Sequence, residues 1–145
     1  MRVDFYHLTG TPLERVLPSI CEKLLSAGER LLVVAEPGQL AGLDKQLWAH
    51  PPESFLPHAP AGGARDADQP ILLASALVPV NGSRNVAIVD GQWRDEALAF
   101  ERIFYFFDAA AIDGARASWR QLKEHEGAER HYWKQDEGGR WVEGP

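Results

Sequence analysis

Cysteine is almost missing from this chain. The single thiol, Cys21, allows no intrachain disulfide and no cysteine-only metal site, and such usage fits a reducing cytoplasm. Positive charge is scarce as well: 15 Lys and Arg stand against 21 Asp and Glu, a formal net charge of −6 at pH 7. Wrapping nucleic acid takes an excess of cations to neutralise phosphate, so direct binding is left to a local basic patch. No apolar run approaches the length of a membrane span. Met1-Arg2-Val3-Asp4 leads straight into a strand-like segment rather than a signal peptide. Repeats, low-complexity tracts and linkers are lacking too, so the 145 residues read as one soluble domain with its own core.

What the chain does have is a rhythm of short apolar strands and amphipathic helices. Residues 3–8 alternate and favour β structure. Residues 11–14 have the form of a capping box, with Thr11 as N-cap, Pro12 at the first helical position and Glu14 reaching back. Leu13, Val16, Leu17, Ile20, Leu24 and Leu25 follow at helical spacing, and Ala27-Gly28 ends the run. Pro18 inside it predicts a kink, and Cys21 beside the apolar stripe reads as a packed thiol rather than a reactive one. Residues 30–35 form a nearly continuous apolar strand of the kind covered on both faces, and Pro37 opens a second helix with Leu40, Leu43 and Leu47 on one side.

The segment 59–69 reads as a loop. Strands are expected at 70–74, 85–89 and 103–107, a short helix at 95–101 and a last helix over 110–126. A closing hairpin pairs 128–135 with 140–142 about a turn at 136–139. Strand and helix in alternation predict a single α/β domain, a mostly parallel sheet flanked by helices, with a C-terminal hairpin.

Such a sheet invites a search for phosphate-cradling loops. After the first strand the chain reads Leu8-Thr9-Gly10-Thr11-Pro12-Leu13, with neither the dinucleotide fingerprint nor a Walker lysine. After the second, Glu36 puts a carboxylate where phosphate would sit. The histidines His7, His50, His58, His125 and His131 show no metal-binding spacing, and no serine stands in a nucleophile elbow. Asp90 and Asp108 end successive strands; they read as turn or helix caps. A small α/β enzyme or nucleotide-binding protein with its site near those two carboxylates is the rival reading.

Two stretches stand out. Residues 47–58 place Trp48 and Phe55 among Pro51, Pro52 and Pro57, a stiff connection that either caps the core edge or forms a recognition surface. On the last helix, Arg116, Arg120 and Lys123 share one face around Trp119, with Arg130 and Lys134 close behind. Cations interleaved with an aromatic suit a ligand that has a carboxylate and an apolar side chain. The alternative is a solvated face salt-bridged to neighbouring Glu.

The Leu47-Trp48 pair, the Ser54-Phe55-Leu56-Pro57-His58 run and the ending Tyr132-Trp133-Lys134-Gln135-Asp136…Gly139-Arg140-Trp141 resemble the chi subunit family of the bacterial DNA polymerase III holoenzyme. The resemblance implies a Rossmann-like fold without nucleotide binding or other catalysis, needing no cofactor or metal. It implies a cytoplasmic accessory protein of the clamp-loader complex, which meets DNA mainly through the C-terminal tail of single-stranded DNA-binding protein (SSB). Arg116, Trp119, Arg120, Lys123 and Lys134 would hold that tail. Trp48, Phe55, Phe106 and Phe107 would meet a second partner, the psi subunit or a helicase-like protein. The segment 109–115, AAAIDGA, supplies no basic residue, which shifts weight onto Lys123 and Lys134.

Overall fold

The computed structural model describes residues 1–48, 58–63 and 66–144, with the backbone alone for Glu14, Gln46 and Trp48. The strands are β1 (Arg2–His7), β2 (Leu31–Val34), β3 (His58–Pro60), β4 (Ile71–Ala74), β5 (Asn85–Ile88), β6 (Arg102–Phe107), β7 (Glu129–Gln135) and β8 (Trp141–Gly144). The helices are α1 (Leu13–Ser26), α2 (Pro37–Trp48) and α3 (Ile112–Lys123). The strands make one sheet in the order β3-β4-β2-β5-β6-β1-β7-β8. Every neighbouring pair is parallel except the closing β7–β8 hairpin.

Strand alternation divides the interior into two cores. Leu31, Val33, Ala87, Phe104 and Phe106 face the layer of α1 and α2, where Leu17, Cys21, Leu43 and Leu47 meet them. Leu32, Val34, Val86, Phe5 and Tyr105 face the layer of α3 and the 3-10 turn Asp95–Ala99. The continuous apolar run of β2 is therefore buried on both faces, as expected of a parallel strand between helical layers. Cys21 is fully buried in the first core, and burial pushes its thiol pKa up to about 12; it is a packing group.

Four expectations need correction. The segment 59–69 is not all loop: β3 adds a parallel edge strand to β4, and 3-10 turn Asp66–Asp68 follows. A strand of three residues ending in Pro60 has no periodicity to read. It is anchored by His58, 4% exposed, whose Nε2 donates 3.2 Å to the Asp44 carbonyl on α2. Secondly, Thr11 is not the cap of α1. Pro12 holds that position with no side-chain cap, and Thr11 Oγ1 instead accepts a 2.7 Å hydrogen bond from Gln135 Nε2. Thirdly, the last helix is shorter than 110–126: a 3-10 turn Ala109–Ala111, capped by Asp108, precedes α3, which ends at Lys123. Finally, Phe106 and Phe107 are each 1% exposed, in opposite cores. Successive strand residues point to opposite faces, both covered here, so neither ring forms a partner surface.

Phe5 is the hub of the second core. Its ring stacks on Tyr105 at 5.2 Å and on Trp93 at 6.1 Å, and meets Trp119 edge-on at 5.2 Å. Phe5→Ala removes a fully buried ring from these three contacts. It should lower stability by roughly 3–5 kcal/mol, measured by urea or thermal unfolding.

Candidate functional site

Helix α3 packs on the sheet through Ala115, Ser118 and Leu122, and this orientation turns Arg116 and Trp119 toward β7. On β7, alternation puts Tyr132 and Lys134 on the α3 side and Trp133 and Gln135 on the α1 side. Arg116, Trp119, Tyr132 and Lys134 thus come together around a pocket of about 300 Å³. Trp119 and Tyr132 form its apolar wall, edge to face at 5.7 Å. Arg130 is a brace for Trp119: its guanidinium lies 4.2 Å over the indole ring and its Nη1 donates 2.6 Å to the Trp119 carbonyl.

His7 stands behind Tyr132, its ring stacked on Phe107 at 5.0 Å and its Nδ1 3.5 Å from the Tyr132 hydroxyl. Burial, and then the Arg116 charge, hold the His7 pKa below its ordinary value, so the imidazole is neutral near pH 7. Tyr132 and His7 belong to this site although the sequence did not single them out. They approach it from strands at opposite ends of the chain.

Of the residues expected to form the tail site, Arg116, Trp119 and Lys134 are brought together. Arg120 and Lys123 lie farther along the exposed side of α3 and do not line the pocket. Arg116, Arg120, Lys123 and Lys134 are all exposed, and none makes a side-chain hydrogen bond or ion pair among the described residues. The reading of this face as a salt-bridged surface therefore lacks its acidic partners. Trp48 ends α2 with its side chain undescribed, and Phe55 and His50 lie outside the described residues.

A wider cleft of about 610 Å³ opens at the strand ends, lined by the loops after β1, β5 and β6. Several of its polar groups are occupied within the chain. The Gly10 and Thr11 amides, where an anion would sit, donate to Gln135 Oε1 at 3.1 and 2.9 Å. Asp90 grips Arg94 through two bonds of 2.7 and 3.0 Å and accepts from the Gln92 amide. Asp108 caps the Ala110 amide at 3.0 Å. Both carboxylates act as turn and cap groups, as the sequence indicated. Among the described residues, no group of three or more His, Cys, Asp or Glu is arranged to hold a metal. Nor is any helix among them long and apolar enough to cross a membrane.

With this geometry in place, comparison with known proteins is decisive. The family model for the DNA polymerase III chi subunit, HolC, matches residues 1–129. The chain belongs to this family. It is similar to the DNA polymerase III subunit chi of Escherichia coli (strain K12), 30% identical over 96 residues. That match spans 65% of this chain and about 65% of the length of the relative. The match to the chi family ends at Glu129, the first residue of β7, so the hairpin that supplies Tyr132 and Lys134 lies beyond it.

On the other side of that hairpin His131 sits between two carboxylates, with Nε2 3.0 Å from Glu129 Oε2 and Nδ1 against Glu143. Glu129, and then Glu143, raise its pKa above the ordinary 6.5. A raised folded-state pKa contributes stability that is present in full below about 6.5 and is lost as pH rises through the folded value. His131→Gln should therefore melt below the wild type at about pH 5.5, with the gap closing by about pH 9; thermal scans across that range check it.

Proposed function

We propose that this chi-family chain is a non-enzymatic adaptor of the DNA polymerase III clamp-loader complex that holds the acidic C-terminal tail of SSB. The observation that carries the reading is the pocket on α3 and β7. Its wall is two aromatic rings, its rim is Arg116 and Lys134, and Arg120 and Lys123 continue the cationic face along the helix without acidic partners among the described residues. A peptide ending in Asp side chains, an aromatic residue and a free carboxylate is complementary to each part. The terminal ring packs against the wall formed by Trp119 and Tyr132. Arg116 and Lys134 take the carboxylate, and the preceding acids run toward Arg120 and Lys123. A second partner, psi or a helicase-like protein, meets the chain at Trp48 and Phe55.

In the strand-end cleft the Gly10 and Thr11 amides are taken by Gln135, and the two carboxylates by Arg94 and the Ala110 amide, so the groups best placed for phosphate are already engaged. Calorimetry with ATP, GTP and NAD should register no micromolar binding; such binding would favour the nucleotide reading instead.

Arg116→Ala decides the site. A hydrogen bond to a charged group contributes roughly 1.5–3 kcal/mol, so the variant should bind a labelled tail peptide about 10- to 100-fold more weakly by fluorescence anisotropy. Removing the peptide's terminal Phe should cost at least as much, and added salt should weaken the wild type more steeply than the variant. Wild-type affinity in Arg116→Ala would place the tail elsewhere.

A further inference from the structure

The face of the hairpin turned away from the tail pocket carries a second groove, of about 420 Å³, between α1 and the strands β1, β7 and β8. Its floor is aromatic. Tyr6 lies parallel to Trp133 at 6.3 Å and meets Trp141 edge-on at 5.2 Å, and all three rings stay partly exposed. The floor is held in place from below, since the Trp133 indole donates 2.9 Å to the buried Asp4 carboxylate, itself bound by Arg2 at 3.1 Å and Arg102 at 3.4 Å.

The α1 rim supplies Arg15, Ser19 and Lys23. Arg15 and Lys23 are exposed, and neither makes an ion pair or side-chain hydrogen bond among the described residues. Among the described residues no carboxylate lines the groove, and several on this side are already engaged. Asp4 is held by two arginines, Glu129 and Glu143 close on His131, and Asp136 accepts from the Gly138 and Arg140 amides of its own turn. The groove is therefore locally cationic on a protein that is acidic overall.

We propose that this groove binds a short stretch of single-stranded nucleic acid, with bases on the Trp133 and Trp141 rings and phosphates on Arg15 and Lys23. A single strand presents planar bases along one edge and anionic phosphates along the other, which matches an aromatic floor beside a cationic rim. Arg15 and Lys23 stand eight residues apart on one helix, about 12 Å at 1.5 Å per residue, so they take separate phosphates rather than one. Stacking accepts any base, and the contact is without sequence preference.

The two sites lie on opposite faces of one hairpin, so tail peptide and strand are held together rather than in competition. This inference does not rest on the tail assignment.

The test is a titration of the full chain with a labelled oligothymidylate of about twelve nucleotides, at low salt and without SSB, following anisotropy and tryptophan fluorescence. The expected result is saturable binding with indole quenching and a log–log salt slope of about −1.4, from two phosphate contacts at −0.7 each. Trp141→Ala should weaken binding about 5- to 100-fold. Lys23→Glu, on an exposed helix position outside the core, should weaken it and flatten the salt slope. An oligouridylate should bind similarly, and a duplex of equal length more weakly, because its bases are stacked on each other. Absence of quenching, equal binding of the duplex, or wild-type affinity in Lys23→Glu would each overturn the proposal. If Trp141→Ala fails to fold, Arg15→Glu and Lys23→Glu carry the test.

Discussion

The parallel pairing of β1 with β7 is the contact on which the rest of this molecule depends. It joins the first residues of the chain to almost the last, with Arg2 to Tyr6 in register with Glu129 to Trp133. A parallel pair between such distant segments cannot be made by a turn, so side chains must secure it. The Trp133 indole on Asp4 and the Gln135 amide on the Gly10–Thr11 loop provide that security along the C-terminal half of β7. Without them the hairpin has no reason to lie against the sheet, and neither aromatic site assembles.

The same pairing explains how a small domain presents two different surfaces. Period-two alternation along β7 sends Tyr132 and Lys134 to the α3 layer and Trp133 and Gln135 to the α1 layer. Each layer ends short of the hairpin, so aromatic residues that would be core in the middle of the sheet remain partly exposed at its edge. Arg116 and Lys134 frame one surface, and Arg15 and Lys23 flank the other.

Charge is distributed in keeping with this. The chain carries a formal −6, yet several of its carboxylates are bound internally: Asp90 by Arg94, Asp4 by Arg2 and Arg102, Asp108 and Asp136 by backbone amides. The cations of α3 and the α1 rim have no such partners among the described residues. Net charge is thus a poor guide to what this surface attracts, because potential near a groove is set by the charges left unneutralised around it.

Sequence alone determined the layered α/β fold, because burial on both faces writes itself into local pattern: the run Leu31–Val34, the helical stripe of α1, the apolar run of β6. It also determined that Arg116 and Trp119 share a helix face, since helical spacing is local, and that Asp90 and Asp108 are turn and cap groups. Everything that required two distant segments to meet was decided by tertiary structure. Thr11 looked like a helix cap because its true partner, Gln135, is 124 residues away. Phe106 and Phe107 looked like surface because a strand end does not reveal that both its faces are covered. β3 was invisible because three residues hold no period, and only the neighbouring edge of β4 makes them a strand. Tyr132 came to line the pocket, with His7 behind it, for the same reason: sequence encodes what a residue prefers, whereas contact is fixed only when the whole sheet closes and long-range hydrogen bonds offset the entropy of bringing its strands together.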